Sequence, residues 1–222
     1  MKEIKRKITP YNFTAIKGKE NKFIVVHYVG AVSTAADNAT YFFNNRLQSS
    51  AHFFVDEKEI WQAVEEYNAA WHCGGGLQGS SGHTYYGICK NSNSIGIEMC
   101  VKKTSGGEWY YEEETLSNTI DLIKYLMKKY DIPKERVIRH YDVTGKTCPA
   151  GFINEKKWSD FKLRLDEKKV TDYSRPNDIV WELANRGIVS DKEGMLKEME
   201  EKPNGRLYWL ARKTVEYFRD NT

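Results

Sequence analysis

The spacing of apolar and polar residues between positions 20 and 165 predicts strands that alternate with helices. Short apolar runs rich in β-branched residues predict buried strands at 23–26, 51–55, 60–64, 94–101 and 136–139. Apolar residues spaced by three and four predict amphipathic helices at about 34–47, 115–130 and 154–165. This alternation favours the α/β class, with a central mixed β-sheet flanked by helices.

The pattern changes near the end of the chain. Residues 166–176 are polar and aperiodic, which is typical of a linker. Three short helical patterns follow: one ends at Gly187, one begins with a capping box of Ser190 and Glu193, and one spans 206–218. We therefore predict two domains, 1–168 and a small C-terminal helical module at 169–222.

Composition and charge narrow the function classes. The 222 residues are 40% apolar and 29% charged, and the net charge of +3 does not favour a nucleic-acid partner. No run of 18 apolar residues predicts a membrane span. The basic N-terminus is not followed by the apolar stretch of a signal peptide, so we expect the protein to begin in a cytoplasm, with its cysteines reduced.

Candidate metal ligands stand at the ends of two predicted strands. His27 follows the run at 23–26, His140 follows the run at 136–139, and Cys148 lies in the loop just beyond. Two imidazoles and a thiolate suit zinc, which in catalytic sites keeps a fourth position for water. Spacing alone leaves two other interpretations open, a hydrogen-bonded surface histidine and a core thiol. Glu98, between Ile97 and Met99, is a carboxylate inside an apolar strand.

Three sequence blocks carry a family resemblance. The string VIRHYDVTGKTCPAGF, preceded in order by FIVVHY and NSIGIEM, resembles the zinc-dependent N-acetylmuramoyl-L-alanine amidases related to peptidoglycan-recognition proteins, in particular phage endolysins. The likeness covers roughly residues 20–165. It implies an amidase-like α/β fold, Zn²⁺ as cofactor, bacterial peptidoglycan as substrate, and cleavage between N-acetylmuramic acid and the L-alanine of the stem peptide.

The resemblance also implies roles for single residues. His27, His140 and Cys148 correspond to the metal ligands, Glu98 to the general base and Lys146 to the group that stabilises the oxyanion. Some relatives use a tyrosine directly before the histidine of the second strand instead of the glutamate. Ala51 stands at that position, so this chain is expected to be of the glutamate type.

Four residues are expected to contact the substrate: His52, Trp71, His72 and Asn93. Trp71 and His72 precede a long Gly- and Ser-rich loop, where an aromatic face could pack on sugar or peptide. For His52 a place in the core remains open, and for Asn93 a role as the cap of a turn.

Alternatives remain at the level of function. A recognition protein would bind peptidoglycan without cutting it, and a recycling amidase would act on wall fragments inside the cell. The retained Cys148, Glu98 and Lys146 favour catalysis, and the C-terminal aromatics favour a wall-binding module over a packing or self-association element. An endolysin would stay in the host bacterial cytoplasm until it is released to the wall.

Overall fold

A computed structural model describes residues 1–166, 176–202 and 205–220. Within helices α5 and α7, described below, it leaves out the side chains of 177, 178, 181, 185, 219 and 220. The chain divides into two compact units, Met1–Asp166 and Glu167–Thr222. The predicted domain boundary at 168 and nearly all of the predicted linker lie outside the described residues, so both stay predictions.

The first unit is built on a mixed β-sheet. The strands are β1 (Ile4–Arg6), β2 (Phe13–Ala15), β3 (Phe23–Val32), β4 (Phe53–Val55), β5 (Ile60–Gln62), β6 (Asn68–Ala70), β7 (Ser94–Lys103), β8 (Trp109–Tyr110) and β9 (Val137–Arg139). Their order across the sheet is β1-β5-β4-β7-β3-β9, with β8 paired to β7, whereas β2 and β6 pair separately. β3 runs parallel to β7 and β9, and β4 runs antiparallel to β5.

Helices cover this sheet, which confirms the predicted fold class. They are α1 (Ala35–Asn44), α2 (Glu113–Tyr130), α3 (His140–Thr144) and α4 (Glu155–Leu163). Side chains of β3 alternate between two clusters: Ile24 and Val26 pack with α2 and α4, whereas Phe23 and Val25 pack with Val143 of α3. The alternation fixes which residues of β3 face α3, and His27 continues the series of Phe23 and Val25.

Local signals explain where the helices begin. Thr34 accepts from the backbone N–H of Asp37 and Asp37 bonds back to Thr34, so a capping box starts α1. Asn154 accepts from the backbone N–H of Lys157 and starts α4. α2 carries acidic residues in its first turn and lysines in its last, which suits the helix dipole.

The second unit contains α5 (Pro176–Asn185), α6 (Lys192–Glu201) and α7 (Arg206–Asp220). Its core brings together apolar residues from the three helices: Ile179, Val180, Leu183, Met199, Ala211 and Val215. The predicted capping box at Ser190 is wrong by one residue, because the Asp191 carboxylate accepts from the Gly194 N–H and caps α6. None of the described helices has the length and apolar character needed to cross a membrane.

Candidate metal centre

Parallel strands bring two of the three predicted ligands to the same edge of the sheet. Val26 of β3 is in register with Arg139 of β9, so His27 and His140 each follow a paired position. His140 is also the first residue of α3, a short helix that the sequence pattern did not predict. The carboxyl ends of parallel strands are a common location for ligand sites in α/β folds.

Cys148 completes the cluster from the loop after α3. The backbone N–H of Tyr141 donates to the Cys148 carbonyl at 2.8 Å, which ties this loop to the start of α3. The Sγ atom of Cys148 lies 3.7 Å from Nδ1 of His27, and the rings of His27 and His140 have centroids 4.8 Å apart. The ligand atoms of all three residues lie within 4.8 Å of one another, and all three residues are buried.

The unpartnered atoms at this cluster fit a metal ion. Among the described residues, the buried side-chain N and O atoms without a hydrogen-bond partner are Asn21 Oδ1, Glu98 Oε2 and both ring nitrogens of His140. Buried polar atoms are normally hydrogen-bonded, so this concentration requires an explanation. A bare imidazole nitrogen beside a second imidazole and a thiol is a donor set that zinc binds.

Burial controls the protonation of the candidate ligands. Desolvation, reinforced by His140, holds the pKa of His27 well below its usual value, and desolvation with the charge of Lys146 lowers the pKa of His140 to about 4. Both imidazoles are therefore neutral, as a metal ligand must be. Burial raises the pKa of the Cys148 thiol to about 12, while the backbone N–H of Tyr28 donates to its sulfur.

Glu98 and Lys146 approach the cluster from two different parts of the fold, a strand and a loop. Glu98 is the register partner of His27 on the neighbouring strand, and its Oε2 atom is buried although the residue as a whole is partly exposed. Burial raises the pKa of Glu98 to about 7, and the charge of Lys146 opposes that shift. Lys146 itself is exposed on the loop before Cys148. A carboxylate and an ammonium group therefore flank the three predicted ligands.

An ion pair positions the chain around His140. Arg139 is only 4% exposed, and its guanidinium bonds to the Asp142 carboxylate at 2.6 Å and to the Phe152 carbonyl at 2.8 Å. Asp142 also accepts from the backbone N–H of Arg139, which caps α3. These bonds fix the backbone turn from β9 into α3, and therefore the backbone position from which the His140 side chain projects.

Two of the predicted substrate contacts have internal partners. His52 is fully buried, its Nδ1 accepts from the Gly96 N–H, and its Nε2 lies 3.1 Å from the Asn68 carbonyl. The side chain of Asn93 accepts from the Lys90 N–H and donates to the Ile88 carbonyl. These contacts correspond to the core position and the turn cap that the sequence had left open.

The side chains of Trp71 and His72 lie in different environments. Trp71 lies on an open cavity of about 460 Å³ whose lining includes Tyr86 and Lys90 but none of the three cluster residues. Its indole N–H donates to Thr14. His72 is buried, and its ring lies 5.1 Å from the ring of His27. The structure therefore places His72 directly beside the candidate cluster, and Trp71 on a cavity that none of the three cluster residues lines.

Sequence reasoning missed two neighbours of the cluster. Ser94 opens β7, is fully buried, and contacts the His72 ring at 3.1 Å. Tyr28 follows His27, is partly exposed, and has a pKa raised by burial and by the nearby Cys148 and Glu98. The position of Tyr28 directly after a candidate ligand was a usable signal. Ser94 gave none, because its role depends on a side chain distant in sequence.

Known proteins match the unit that carries this centre. The family model described as N-acetylmuramoyl-L-alanine amidase matches residues 17–151. The N-acetylmuramoyl-L-alanine amidase CwlL of Bacillus licheniformis is 32% identical over 170 residues, which are 72% of this chain and 45% of that protein. BlyA, the N-acetylmuramoyl-L-alanine amidase of Bacillus subtilis (strain 168), is 34% identical over 170 residues, with the same 72% and 45% coverage.

A solved structure agrees with the fold. The structure of PlyL superimposes with a TM-score of 0.59 at 28% identity, covering 76% of this chain and 100% of that chain. The present chain spans about 45% of the length of the curated relatives CwlL and BlyA. The family match covers more than half of the chain and includes every residue of the cluster. The chain therefore belongs to the N-acetylmuramoyl-L-alanine amidase family.

Proposed function

We propose that this chain is a zinc hydrolase that cleaves the amide bond between N-acetylmuramic acid and L-alanine in peptidoglycan. The observation that carries the proposal is the convergence of His27, His140 and Cys148 beside Glu98, with both nitrogens of His140 and Oε2 of Glu98 unpartnered among the described residues. The relatives CwlL and BlyA, named as amidases of this bond, support the same assignment.

The three ligands supply the electrostatic part of the mechanism. Zinc in a site of this kind acts as a Lewis acid on a carbonyl oxygen and lowers the pKa of water to about 7. His27 and His140 present neutral imidazoles, and Cys148 supplies the single negative charge of the donor set once its thiol is deprotonated. The strand ends and the tied loop hold these groups in place before substrate arrives.

Glu98 moves the proton. Its buried Oε2 takes a proton from the attacking water as the new C–O bond forms at the lactyl carbonyl carbon. The C–N bond then breaks, and the same proton passes to the nitrogen of L-alanine, which leaves as a free amine. Burial makes Glu98 a stronger base than an exposed carboxylate because it raises its pKa to about 7.

Lys146 stabilises the charge that develops on the carbonyl oxygen. Its ammonium group already lowers the pKa values of His140 and Glu98, so its field reaches the position where the scissile carbonyl must lie. Tyr28 and Trp109 stack edge to face at 6.2 Å and offer an aromatic surface beside Glu98 for the substrate.

A product assay tests the function. Purified protein is incubated with bacterial cell walls, and new L-alanine amino termini and new reducing sugar ends are measured in parallel. We expect amino termini only, lost with a chelator and restored by zinc. Cys148→Ser should abolish release, whereas Cys100→Ala, which changes another buried cysteine, should retain it. Reducing ends without amino termini, or wall binding without release, would contradict the proposal.

We also propose that the second unit binds the cell wall. Its helix α7 exposes large apolar side chains, with Trp209 at 59%, Leu210 at 45% and Tyr217 at 64%. Leu210 and Tyr217 are two helical turns apart and lie on the same side of α7. Exposed aromatic rings are suited to packing against sugar rings.

Wall binding can be measured without digestion in a Cys148→Ser background. We expect Trp209→Ala with Tyr217→Ala to reduce co-sedimentation with walls. Tyr67→Ala removes an equally exposed tyrosine from the first unit, at 63%, and should leave it unchanged. Equal co-sedimentation of all variants would contradict the wall-binding role. A shift in molecular mass on gel filtration would instead indicate self-association.

A further inference from the structure

A chain of hydrogen bonds connects His27 to a backbone carbonyl. Nε2 of His27 lies 3.0 Å from Nδ1 of His72, Nε2 of His72 lies 3.1 Å from Oγ of Ser94, and Oγ of Ser94 donates to the Lys90 carbonyl at 2.6 Å. The three side chains are 1%, 8% and 0% exposed. The chain is therefore shielded from water along its length.

The carbonyl at its end sets the direction of every bond. A carbonyl only accepts, so the single hydroxyl hydrogen of Ser94 is used toward Lys90. Ser94 must then accept from Nε2–H of His72. A neutral imidazole has one N–H, so Nδ1 of His72 is an acceptor and Nε2 of His27 is its donor.

This direction determines which nitrogen of His27 is free. With its proton on Nε2, His27 carries its lone pair on Nδ1, and Nδ1 is the atom that lies 3.7 Å from Cys148 Sγ. The tautomer required for metal binding is thus selected by groups outside the metal cluster. Metal-bound histidines usually donate their second N–H to a carboxylate, a carbonyl or water, and here the acceptor is another imidazole.

We infer that His72 is a positioning residue of the metal centre, which holds His27 in the Nε2–H tautomer through the bond chain to Ser94 and Lys90. The inference rests on the proposed zinc site. It replaces the substrate contact expected for His72 with a role that acts through His27. Ser94 becomes the second member of the chain.

Strand β7 is shaped to seat the His72 ring. A Cβ atom at Gly96 would lie 2.5 Å from Cγ and 2.7 Å from Nδ1 of His72, so the ring packs directly on the backbone at this position. The backbone N–H of His72 is held by the Asn91 side chain at 3.1 Å. Only glycine at position 96 leaves room for the ring, which links the sequence of β7 to the geometry of the cluster.

Metal affinity tests the inference without reference to activity. Zinc dissociation constants are measured by competition with a chromophoric chelator, and Co²⁺ spectra report the donor set. His72→Phe keeps a flat ring but removes both nitrogens, and we expect zinc affinity to fall about 10- to 100-fold. His72→Asn can place an amide oxygen near Nδ1, and should recover part of that loss.

Gly96→Ala supplies a second route to the same result, since its methyl group displaces the ring while both nitrogens remain. It should weaken zinc binding and alter the Co²⁺ spectrum. Cys100→Ala, on the same strand, is the matched control and should bind zinc like the wild type. Thermal unfolding of each metal-free variant identifies any that do not fold.

Full zinc affinity in a folded His72→Phe protein would overturn the inference. If His72→Phe does not fold, wild-type affinity in both His72→Asn and Gly96→Ala would overturn it equally. A zinc affinity that depends on His72, in a wild-type protein that releases no amino termini, would contradict the proposed function and leave this inference standing. Amide cleavage by a protein whose zinc affinity does not depend on His72 would overturn this inference and leave the proposed function standing.

Discussion

At the scale of residues, one set of side chains in the proposed centre binds the metal and a different set assists the proton transfer and stabilises charge. His27, His140 and Cys148 contribute lone pairs, whereas Glu98 and Lys146 contribute charges that flank them. The two sets can therefore be disturbed independently. A change in the first set should be seen in metal affinity, and a change in the second in the rate of hydrolysis at saturating zinc.

Glu98→Gln should show that separation. The amide keeps the size of the side chain but cannot accept the proton of water, so we expect amide release to fall about 100-fold or more. Zinc affinity should change little, because Glu98 is not one of the clustered ligands. Glu108→Gln, an exposed change in the turn after β7, is the control. Loss of zinc from Glu98→Gln would assign Glu98 to the ligands instead.

The buried Lys19 should make the free energy of unfolding depend on pH. Its ammonium group donates to three backbone carbonyls, of Glu66, Asn68 and Ser94, and burial lowers its pKa to about 7. The unfolded chain keeps this proton up to a pKa of about 10.5. Between these values the unfolded state binds more protons, so the free energy of unfolding should rise with pH.

Urea unfolding of the metal-free protein at pH 6.5 and 9.5 measures this effect. The increase should be larger in the wild type than in Lys19→Met, because the variant lacks the titrating group. Subtracting the variant removes the contribution of other titrating residues. An equal change in both proteins would mean that the pKa of Lys19 is not lowered by folding.

At the scale of elements, the loop between β6 and β7 packs against the end of α3. The backbone N–H of Gln78 donates to the Thr144 carbonyl at 2.6 Å. Gly145 ends α3 with a φ of +80°, and a Cβ atom there would lie 1.9 Å from the Gln78 carbonyl oxygen. The glycine therefore allows both the left-handed helix end and the close approach of the loop.

Gly145→Ala should be strongly destabilising. We expect about 1–2 kcal/mol from the left-handed backbone and about 1–3 kcal/mol more from the forced displacement of the loop. Gly107→Ala is the matched control, since its φ is +84° but no atom lies within 4 Å of the added Cβ. Chemical denaturation gives both values. Equal losses would show that the loop yields without cost.

Elements also show what the sequence could and could not predict. The first part of β3 and the helix α2 could be predicted from the sequence. A continuous apolar run specifies the strand, and apolar residues spaced by three and four specify the helix. β1, β2 and β6 have three residues each and lack the run of large apolar residues that marks the equally short β4. α3 has five residues, which is too short for a helical period to be recognised. The mixed sheet was predicted correctly, but its order depends on long-range pairing.

The candidate site divides in the same way. Their positions after two strands and in the following loop made His27, His140 and Cys148 candidates, but their ligand roles, and the roles of Glu98 and Lys146, were implied by the family resemblance. The bond chain through His72 could not be predicted, because it depends on a carbonyl and a serine that only the folded structure brings beside the ring. The roles of all these residues stay predictions until they are measured.

At the scale of the whole molecule, zinc binding should add to the stability of the first unit. A ligand that binds only the folded state stabilises it by mass action, by about 2.7 kcal/mol at a hundredfold excess over the dissociation constant. We therefore expect zinc to raise the melting temperature of the wild type. It should have little effect on Cys148→Ser. Calorimetry with and without chelator measures both, and an equal rise in the two proteins would exclude Cys148 as a ligand.

The spread of the three proposed ligands along the chain has a consequence for biosynthesis. His27 and Cys148 are separated by 121 positions, and His140 adopts its place only when β9 pairs with β3. During translation the growing polypeptide thus exposes His27 on the ribosome long before its co-ligands emerge. Binding of zinc by the three proposed ligands would have to follow synthesis of the sheet, so newly made molecules should acquire hydrolytic capacity in one late step rather than gradually.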